Sequence, residues 1–225
     1  MNDLKKRVSV IIPARNEEKF IERSIRSIYA NATESVEVEI IVVDGISDDG
    51  TVGVVEDLIA QGISVTLLHN PKKFTPVSMN LGIEASSGDF LMFSGAHAEY
   101  PPHYLQTCLE VADEHPEAWC VGGNIETKCD TTIGQAIADA MSSPFGVGNA
   151  MFRLGKHTGY VDTLTFGCYH RWVFEKVGLF DENLVRNQDD DMNLRIVKAG
   201  GKLYMDSRIS SVYYSRSSLK QLFRQ

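Results

Sequence analysis

Residues 8–18 read VSVIIPARNEE, and this stretch decides the fold class. Its first five residues form a mostly apolar run that ends at Pro13, a pattern typical of a strand buried inside a parallel sheet. The polar residues after the proline lead into a helical pattern, with apolar side chains on one face at Phe20, Ile21, Ile25 and Ile28. The stretch therefore predicts a strand, a ligand-side loop and a helix.

The same alternation continues through the first half of the chain. Apolar runs at 38–43, 63–68 and 90–93 predict strands, and residues 52–60 and 76–85 predict helices between them. Strands that alternate with helices indicate βαβ units, so we expect an α/β fold with a parallel sheet. In such sheets, ligands bind beyond the carboxyl ends of the strands.

The second half is less regular. We predict helices at 104–114, 133–142 and 188–198, and strands at 119–122, 202–205 and 209–214. The glycine-rich run 143–159 is a candidate acceptor loop or lid, because long glycine-rich connections are usually mobile or functional. No linker interrupts the pattern, so we predict one domain over 1–225, with a nucleotide-binding half (1–100) and an acceptor-binding half (101–225).

Composition limits the function classes. A net charge of −8 argues against a nucleic-acid partner, since phosphate neutralisation requires clustered Lys and Arg. The four cysteines form no CxxC pair, which predicts reduced thiols rather than a zinc ribbon or a disulfide framework. No apolar run is long enough to cross a bilayer.

Two acidic residues follow predicted strands. Glu17 lies in the loop after the first strand, and Asp44 directly follows the second. Carboxylates at these positions could bind a base or a ribose. The alternative is structural: Asn16 could cap the next helix with the glutamates complementing its dipole, and Asp48 and Asp49 could be turn residues.

The loop after the strand at 90–93 holds His97, with Glu99 close by. An imidazole nitrogen can ligate a divalent metal. A single loop histidine more often serves as a hydrogen-bonding residue, so the residues alone leave both interpretations open.

Three consecutive carboxylates, Asp189, Asp190 and Asp191, open the helix predicted at 188–198. The helix dipole favours them there, and Arg195 is placed to pair with Asp191 across one turn. Crowded like charges also raise the pKa of at least one carboxyl, which suits a general base or a cation site. We weigh the functional interpretation above simple capping.

Taken in order, these motifs resemble the inverting family 2 glycosyltransferases, which have the GT-A fold. The resemblance covers nearly the whole chain and rests on five ordered motifs: 10–18, 42–51, 80–82 with Ala85 and 88–89, the loop at His97, and 177–181 followed by 188–189. It implies a three-layer αβα sandwich with a mostly parallel, Rossmann-like sheet. The family's activity is transfer of a sugar from a nucleotide donor.

Some segments are similar to the membrane-associated succinoglycan-biosynthesis subgroup, among them 96–102, 121–123, 145–148 and 186–190. Gln221 and Arg224 stand where relatives have a QxxRW-like motif that precedes membrane segments; here Gln225 replaces the tryptophan. The resemblance implies a membrane-associated continuation after 225, a location on the cytoplasmic face of the membrane, and a glycan or lipid-linked acceptor.

The resemblance also implies roles for single residues. Asp189 would be the catalytic base, and His97 would be the metal-facing end of a DxD-type motif that binds Mn²⁺ or Mg²⁺. The donor would be a UDP-sugar, and its contacts would come from Pro13, Arg15, Glu17, Asp44, Asn80, Gly95 and Ala96. Acceptor or supporting roles would fall to Asp190, Asp191, Arg195, Gln221 and Arg224.

One position departs from the family pattern, because Gly95 stands where its motif usually begins with aspartate. Glu99 or Asp191 could replace the missing carboxylate, the metal could bind only together with the donor's phosphates, or the domain could be weakly active. A non-catalytic sugar-nucleotide-binding scaffold is the alternative function. A sugar nucleotidyltransferase ranks last, because 13–18 contains no glycine for a phosphate loop.

Overall fold

The computed structural model describes residues 5–129, 134–135, 151–154, 157–184 and 186–215. The described strands are β1 (Lys6–Ala14), β2 (Val36–Asp44), β3 (Val65–His69), β4 (Phe90–Phe93), β5 (Ala98–Glu99), β6 (Ala118–Lys128), β7 (Gly159–Val161), β8 (Cys168–His170) and β9 (Lys202–Tyr214). The described helices are α1 (Ile21–Tyr29), α2 (Thr51–Ala60), α3 (Thr75–Ala85), α4 (Tyr104–Glu114), α5 (Met151–Leu154), α6 (Trp172–Val177) and α7 (Gln188–Lys198).

The strands form one mixed sheet in the order β3-β2-β1-β4-β8-β6-β9-β5, with β7 on β9. The first four are mutually parallel, as the βαβ pattern predicts. Antiparallel pairing begins where β8 joins β4 and β6, and β6 and β9 are parallel again. The prediction of an α/β fold with a mostly parallel central sheet is confirmed.

The buried strands β1 and β2 separate two apolar cores. Val10 and Ile12 pack in one core with the buried face of α1, whereas Ile11 packs in the other core with Met79 of α3. Because successive side chains of a strand point to opposite faces, a fully apolar strand requires cover on both sides. The result is the expected three-layer αβα arrangement.

Close packing of α3 against β1 depends on Gly82. A Cβ atom at this position would overlap the side chain of Ile11. The glycine therefore lets the helix lie directly on the strand, which positions Thr75 at its first turn beside the carboxyl end of β1.

Several predicted elements fall outside the described residues or differ in extent. The helix predicted at 133–142, most of the run 143–159 and the segment after 215 lie largely or wholly outside the described residues. The strands predicted at 202–205 and 209–214 are one strand, β9, with a register irregularity against β6. No helix within the described part of the chain combines the length and apolar character needed to cross a membrane.

Candidate active site

Two adjoining pockets lie at the carboxyl ends of β1 and β4. The basic pocket has a volume of about 270 Å³ and is lined by Pro13, Ala14, Arg15, Glu17, Gly45, Lys73, Thr75 and Ser78. The aspartate pocket, of about 180 Å³, is lined by Pro13, Thr75, Met79, Phe93, Ser94, Gly95, Phe166, Gly167, Tyr169, Gln188 and Asp189. Pro13 and Thr75 line both pockets, so the two share a wall.

The loops after β1 and β2 are tied to each other. The Asn16 side-chain oxygen accepts from the Asp48 amide at 3.0 Å, and the Asn16 amide donates to Ser47 Oγ at 2.9 Å. The Glu17 amide donates to Thr51 Oγ1 at 2.7 Å. Asn16 therefore joins two loops, with its backbone in the left-handed region (φ 59°), and does not cap α1, whose N-cap is Phe20.

Two cationic side chains line the basic pocket. Arg15 lies with its aliphatic stem against Gly45, where an added Cβ would be 3.4 Å from the Arg15 side chain. Lys73 enters from the loop before α3. Neither side chain forms an ion pair with any residue that the structure describes, whereas the adjacent Lys72 is paired with Glu182 at 2.8 Å.

Asp44 is buried at the end of β2, with only 2% of it exposed. It accepts hydrogen bonds from the Ser47 hydroxyl at 2.5 Å and the Ser47 amide at 3.1 Å. Its Oδ2 lies 3.5 Å from Nδ1 of His69. These contacts hold the loop after β2, and Asp44 does not appear in the lining of either pocket, although its neighbour Gly45 does.

His97 contacts Glu17 rather than facing solvent. Its Nδ1 lies 3.0 Å from the Tyr214 carbonyl oxygen, and its Nε2 lies 2.5 Å from Glu17 Oε2. The imidazole stacks on Phe20 with ring centres 4.1 Å apart and is 7% exposed. The structure thus brings two predicted site residues, from the loops after β1 and β4, into direct contact.

Gly95 lines the aspartate pocket beneath the ring of Phe166. An added Cβ at Gly95 would lie 3.3 Å from Phe166 Cζ. Phe166 has a left-handed backbone (φ 56°), which is unusual for a bulky residue and indicates local strain. Ala96 is buried in the core and lines neither pocket.

Asp189, in the first turn of α7, lines the aspartate pocket. Burial, and to a smaller extent the neighbouring charge of Asp190, together raise the pKa of its carboxyl to about 6. The side chain is nevertheless half-buried and reaches the pocket. A carboxyl with such a pKa is suited to accept a proton near neutral pH.

The other two carboxylates of the run have partners. Asp190 Oδ1 accepts from Thr163 Oγ1 at 2.9 Å, a hydroxyl that also accepts from Asn193. Asp191 forms the expected pair with Arg195 at 2.9 Å, and Arg195 also donates to the Val177 carbonyl. Asp190, Asp191 and Arg195 therefore hold α7 to its neighbours and do not line the pocket.

Three remaining predicted site residues lie elsewhere. Asn80 is buried, and its side-chain amide forms hydrogen bonds with the segment at 180–182. Its nitrogen donates to the Phe180 carbonyl and to Glu182, and its oxygen accepts from the Phe180 amide. It joins α3 to this segment and lines neither pocket. Gln221 and Arg224 lie outside the described residues.

Sequence reasoning missed Lys73, Thr75, Phe166 and Tyr169. A signal for Lys73 and Thr75 was available, because the loop after β3 opens on the same edge of the sheet as the loops after β1 and β2. Tyr169 belongs to β8, and Phe166 lies in the segment just before it. No local pattern predicts that this short strand inserts beside β4.

The described side chains do not form a complete site for a divalent cation. Among the described residues, no group of three or more His, Cys, Asp or Glu side chains is arranged to hold a metal ion. Glu99 accepts from the Tyr214 hydroxyl and Asp191 is paired with Arg195, so neither replaces the carboxylate missing at Gly95. His97 Nε2 is buried and lies 2.5 Å from Glu17 Oε2, so a cation bound at this nitrogen would have to replace that contact.

The amino-acid sequence is similar to those of known glycosyltransferases. A family model described as glycosyl transferase family 2 matches residues 9–178. A dolichyl N-acetyl-α-D-glucosaminyl phosphate 3-β-D-2,3-diacetamido-2,3-dideoxy-β-D-glucuronosyltransferase of Methanococcus voltae is 31% identical over 97% of this chain and 70% of its own length. The succinoglycan biosynthesis protein ExoA of Rhizobium meliloti is 29% identical over 96% of this chain and 66% of its own length.

Solved structures share the fold. TarS of S. aureus in complex with UDP-GlcNAc superimposes with a TM-score of 0.74 at 19% identity, covering 94% of this chain and 59% of that one. The mannosyltransferase PcManGT of Pyrobaculum calidifontis, in complex with GDP-Man and Mn²⁺, gives 0.71 at 18% identity, with 98% and 60% covered. The chain thus spans about three fifths of these two structures.

The chain belongs to glycosyl transferase family 2 and has the GT-A fold. Membership of this family supports an enzyme that transfers a sugar from a nucleotide-sugar donor. It favours that activity over the scaffold function suggested by Gly95, and over a nucleotidyltransferase.

Proposed function

We propose that this member of glycosyl transferase family 2 transfers a sugar from a nucleoside-diphosphate donor to an acceptor hydroxyl, with inversion at the anomeric carbon and Asp189 as the base. The observation that carries the proposal is the position of Asp189. Its carboxyl, with a pKa raised to about 6, lines a pocket that shares a wall with a cationic one.

The donor's diphosphate is assigned to the basic pocket. Arg15 and Lys73 line it, and neither is paired with another described residue, so both are available to a ligand. Guanidinium and ammonium groups form charge-assisted hydrogen bonds with phosphate oxygens, which are stronger than neutral ones. This arrangement supports nucleotide binding by a protein whose net charge is −8.

The nucleoside is assigned to the loops after β1 and β2. Pro13 and Glu17 line the basic pocket and remain candidates for donor contact. Asp44 would act by holding the loop that carries Gly45, unless its carboxylate turns toward the donor. The family resemblance alone supports donor roles for Asn80 and Ala96. Gly95 would contribute its backbone at the floor of the aspartate pocket.

Asp189 performs the proton transfer. The acceptor hydroxyl enters the aspartate pocket and gives its proton to the Asp189 carboxylate as the oxygen attacks the anomeric carbon, while the bond to the diphosphate breaks in line. One displacement inverts the configuration, and no covalent enzyme intermediate forms. The raised pKa makes Asp189 a stronger base than an ordinary carboxylate while it remains mostly ionised at pH 7.

A divalent cation, Mn²⁺ or Mg²⁺, is part of the proposal, with His97 as a protein ligand. When bound, such an ion stabilises the negative charge that develops on the leaving diphosphate. The family resemblance supports this role for His97, whose ring is held by the contact between Nδ1 and the Tyr214 carbonyl and would have to exchange its contact with Glu17 for the ion.

The proposal extends to the identity of the nucleotide and of the acceptor. We propose UDP as the nucleotide, in line with the UDP-GlcNAc that the TarS structure contains, although the mannosyltransferase structure contains GDP-Man. We propose a glycan or lipid-linked acceptor, because the Methanococcus voltae relative is named for a dolichyl-phosphate substrate. A membrane-associated continuation after 225 and a cytoplasmic-face location stay predictions.

The test is a donor screen that measures release of the free nucleotide from UDP- and GDP-sugars, with and without lipid-linked and glycan acceptors. NMR of the product's anomeric proton then gives the stereochemistry. We expect acceptor-dependent release from a UDP-sugar and an inverted product. A product of retained configuration would contradict the single-displacement mechanism, and binding without any release would contradict the activity.

A further inference from the structure

The polar side chains at 188–195, in the first turns of α7, fall into two groups. Those that face the protein are bonded to neighbouring residues: Asp190, Asp191, Asn193 and Arg195. Gln188 and Asp189, at the start of the helix, line the aspartate pocket instead. Neither of these two side chains forms a hydrogen bond with any residue that the structure describes. Their hydrogen-bonding groups are therefore available to a ligand in the pocket.

The remaining lining of the aspartate pocket suits a sugar ring. Apolar and aromatic side chains form much of its wall: Met79, Phe93, Phe166 and Tyr169. Sites for small molecules are usually apolar surfaces with a few polar groups that fix the ligand's orientation. A sugar ring matches this combination, because its faces present C–H groups and its edge carries hydroxyls.

The arrangement of the two pockets determines which sugar enters. In the proposed function the diphosphate lies in the basic pocket, and one oxygen atom joins it to the anomeric carbon. The wall formed by Pro13 and Thr75 is common to that pocket and to the pocket of Asp189. The transferred sugar must therefore lie across this wall, with its ring in the aspartate pocket and its anomeric carbon within reach of the hydroxyl that Asp189 activates.

The charges that line the two pockets have opposite signs. Arg15 and Lys73 line the basic pocket, whereas Asp189 lines the aspartate pocket, to which no described Lys or Arg side chain contributes. A sugar that bears a carboxylate, such as a uronic acid, would place a second negative charge near Asp189. It would also lose water around that charge without gaining a cationic partner there. A neutral sugar avoids both costs.

We propose that the transferred sugar is uncharged, with the Gln188 amide bound to its hydroxyls and the Asp189 carboxylate disfavouring any sugar that carries an acid group. The amide of Gln188 both donates and accepts hydrogen bonds, as a sugar hydroxyl does. This inference rests on the proposed function, because the diphosphate in the basic pocket fixes where the sugar lies. It makes Gln188 a determinant of donor specificity next to the base.

The experiment measures affinities by isothermal titration calorimetry, in buffer that contains Mn²⁺, for UDP and for two pairs of donors. UDP-glucose is compared with UDP-glucuronic acid, and UDP-galactose with UDP-galacturonic acid. The members of each pair differ only at C6, which is a hydroxymethyl group in one and a carboxylate in the other.

The proteins compared are the wild type, Asp189→Asn and Gln188→Ala. Gln106→Ala is the matched control, because Gln106 also lies on a helix, α4, but is bonded to Glu110 at 2.9 Å. Circular dichroism checks that each variant is folded.

We expect the wild type to bind the neutral member of at least one pair about tenfold more tightly than the acidic member, because like charges at close range repel. Asp189→Asn keeps the size of the side chain and removes its charge, so this difference should fall to about threefold or less. Gln188→Ala should weaken binding of the neutral donor about fivefold, the usual effect of one hydrogen bond, and leave UDP affinity within about twofold. Gln106→Ala should behave like the wild type.

Equal affinity of the wild type for the neutral and acidic members, or a preference for the acidic ones, would overturn the inference and leave sugar transfer itself intact. An unchanged difference in Asp189→Asn would contradict the role of its charge. Unchanged affinity of Gln188→Ala for the neutral donor would remove Gln188 from the sugar site. Failure of the wild type to bind UDP or any of the four donors would instead overturn the donor site of the proposed function.

Discussion

The basic pocket and the aspartate pocket share Pro13 and Thr75 but are built in different ways. The basic pocket comes from the first half of the chain, where loops after adjacent parallel strands are tied together by hydrogen bonds. The aspartate pocket adds residues from β8, from the two positions before it (166–167) and from α7. Cationic side chains distinguish the first pocket and an acid of raised pKa distinguishes the second. Donor binding and proton transfer are therefore expected to be separable by mutation.

The largest expected effect is loss of transfer in Asp189→Asn. The amide cannot accept the acceptor's proton, and loss of a general base typically costs about 10²–10⁴-fold in rate. UDP affinity, measured by calorimetry, should stay within about twofold of the wild type, because the basic pocket is intact. Asp57→Asn, at an exposed position of α2, is the control. Equal rates in Asp189→Asn and wild type would remove Asp189 from the mechanism.

The reciprocal change is Lys73→Met in the basic pocket. Removing one charge-assisted hydrogen bond to a phosphate should weaken UDP binding about tenfold, and less at high salt because Lys73 is exposed. Lys72→Met is the neighbouring control, since Lys72 is paired with Glu182. If Lys73→Met binds UDP as tightly as Lys72→Met and the wild type, the diphosphate does not bind in the basic pocket. The assignment of donor binding to this pocket would then be wrong.

Stability should reveal the cost of holding Asp189 in its pocket. Its pKa rises from an ordinary 3.8 to about 6 on folding, so the folded state binds the proton more tightly than the unfolded state. This stabilisation is present below about pH 4 and is lost as the pH rises through 6. The free energy of unfolding of Asp189→Asn, measured by denaturant titration, should therefore exceed that of the wild type by about 1–3 kcal/mol at pH 7. The two should differ little at pH 4. A variant less stable than wild type at pH 7 would contradict this cost.

The smallest expected effect is a shift in the pH–rate profile. Transfer should rise with pH through about 6 as Asp189 loses its proton. Asp190→Asn removes the neighbouring charge while keeping an oxygen that can accept from Thr163, so the midpoint should fall by less than about one pH unit. Asp48→Asn, in the loop after β2, is the control. A midpoint that rises, or that is identical in the two variants, would contradict the coupling.

The sequence predicted the first half of the fold well because its strands are buried on both faces. Continuous apolar runs such as the one before Pro13 are a strong signal, and α2, α3, α4 and α7 follow the predicted positions closely. The strands β5, β7 and β8 have two or three residues each, too few for a periodic pattern, and were not predicted.

The candidate site divides in the same way. Residues one or two positions after a strand, such as Arg15 and Gly95, could be placed at the sheet edge from sequence alone. The contact between His97 and Glu17 could not, because it depends on the twist and spacing of two neighbouring loops. The burial of Asn80 and Asp44 in structural hydrogen bonds also depends on tertiary packing, which no local motif reports.

The hydrogen bonds between the loops after β1 and β2 should reduce the entropy that these loops lose when a ligand binds. Flexible loops lose conformational entropy when a ligand orders them, and that loss reduces affinity. Here the backbone around Asn16, Ser47 and Thr51 is ordered by folding itself, before any donor is present. A nucleoside bound at these loops, as we propose, would therefore meet a preorganised surface, and its association should be close to rigid docking.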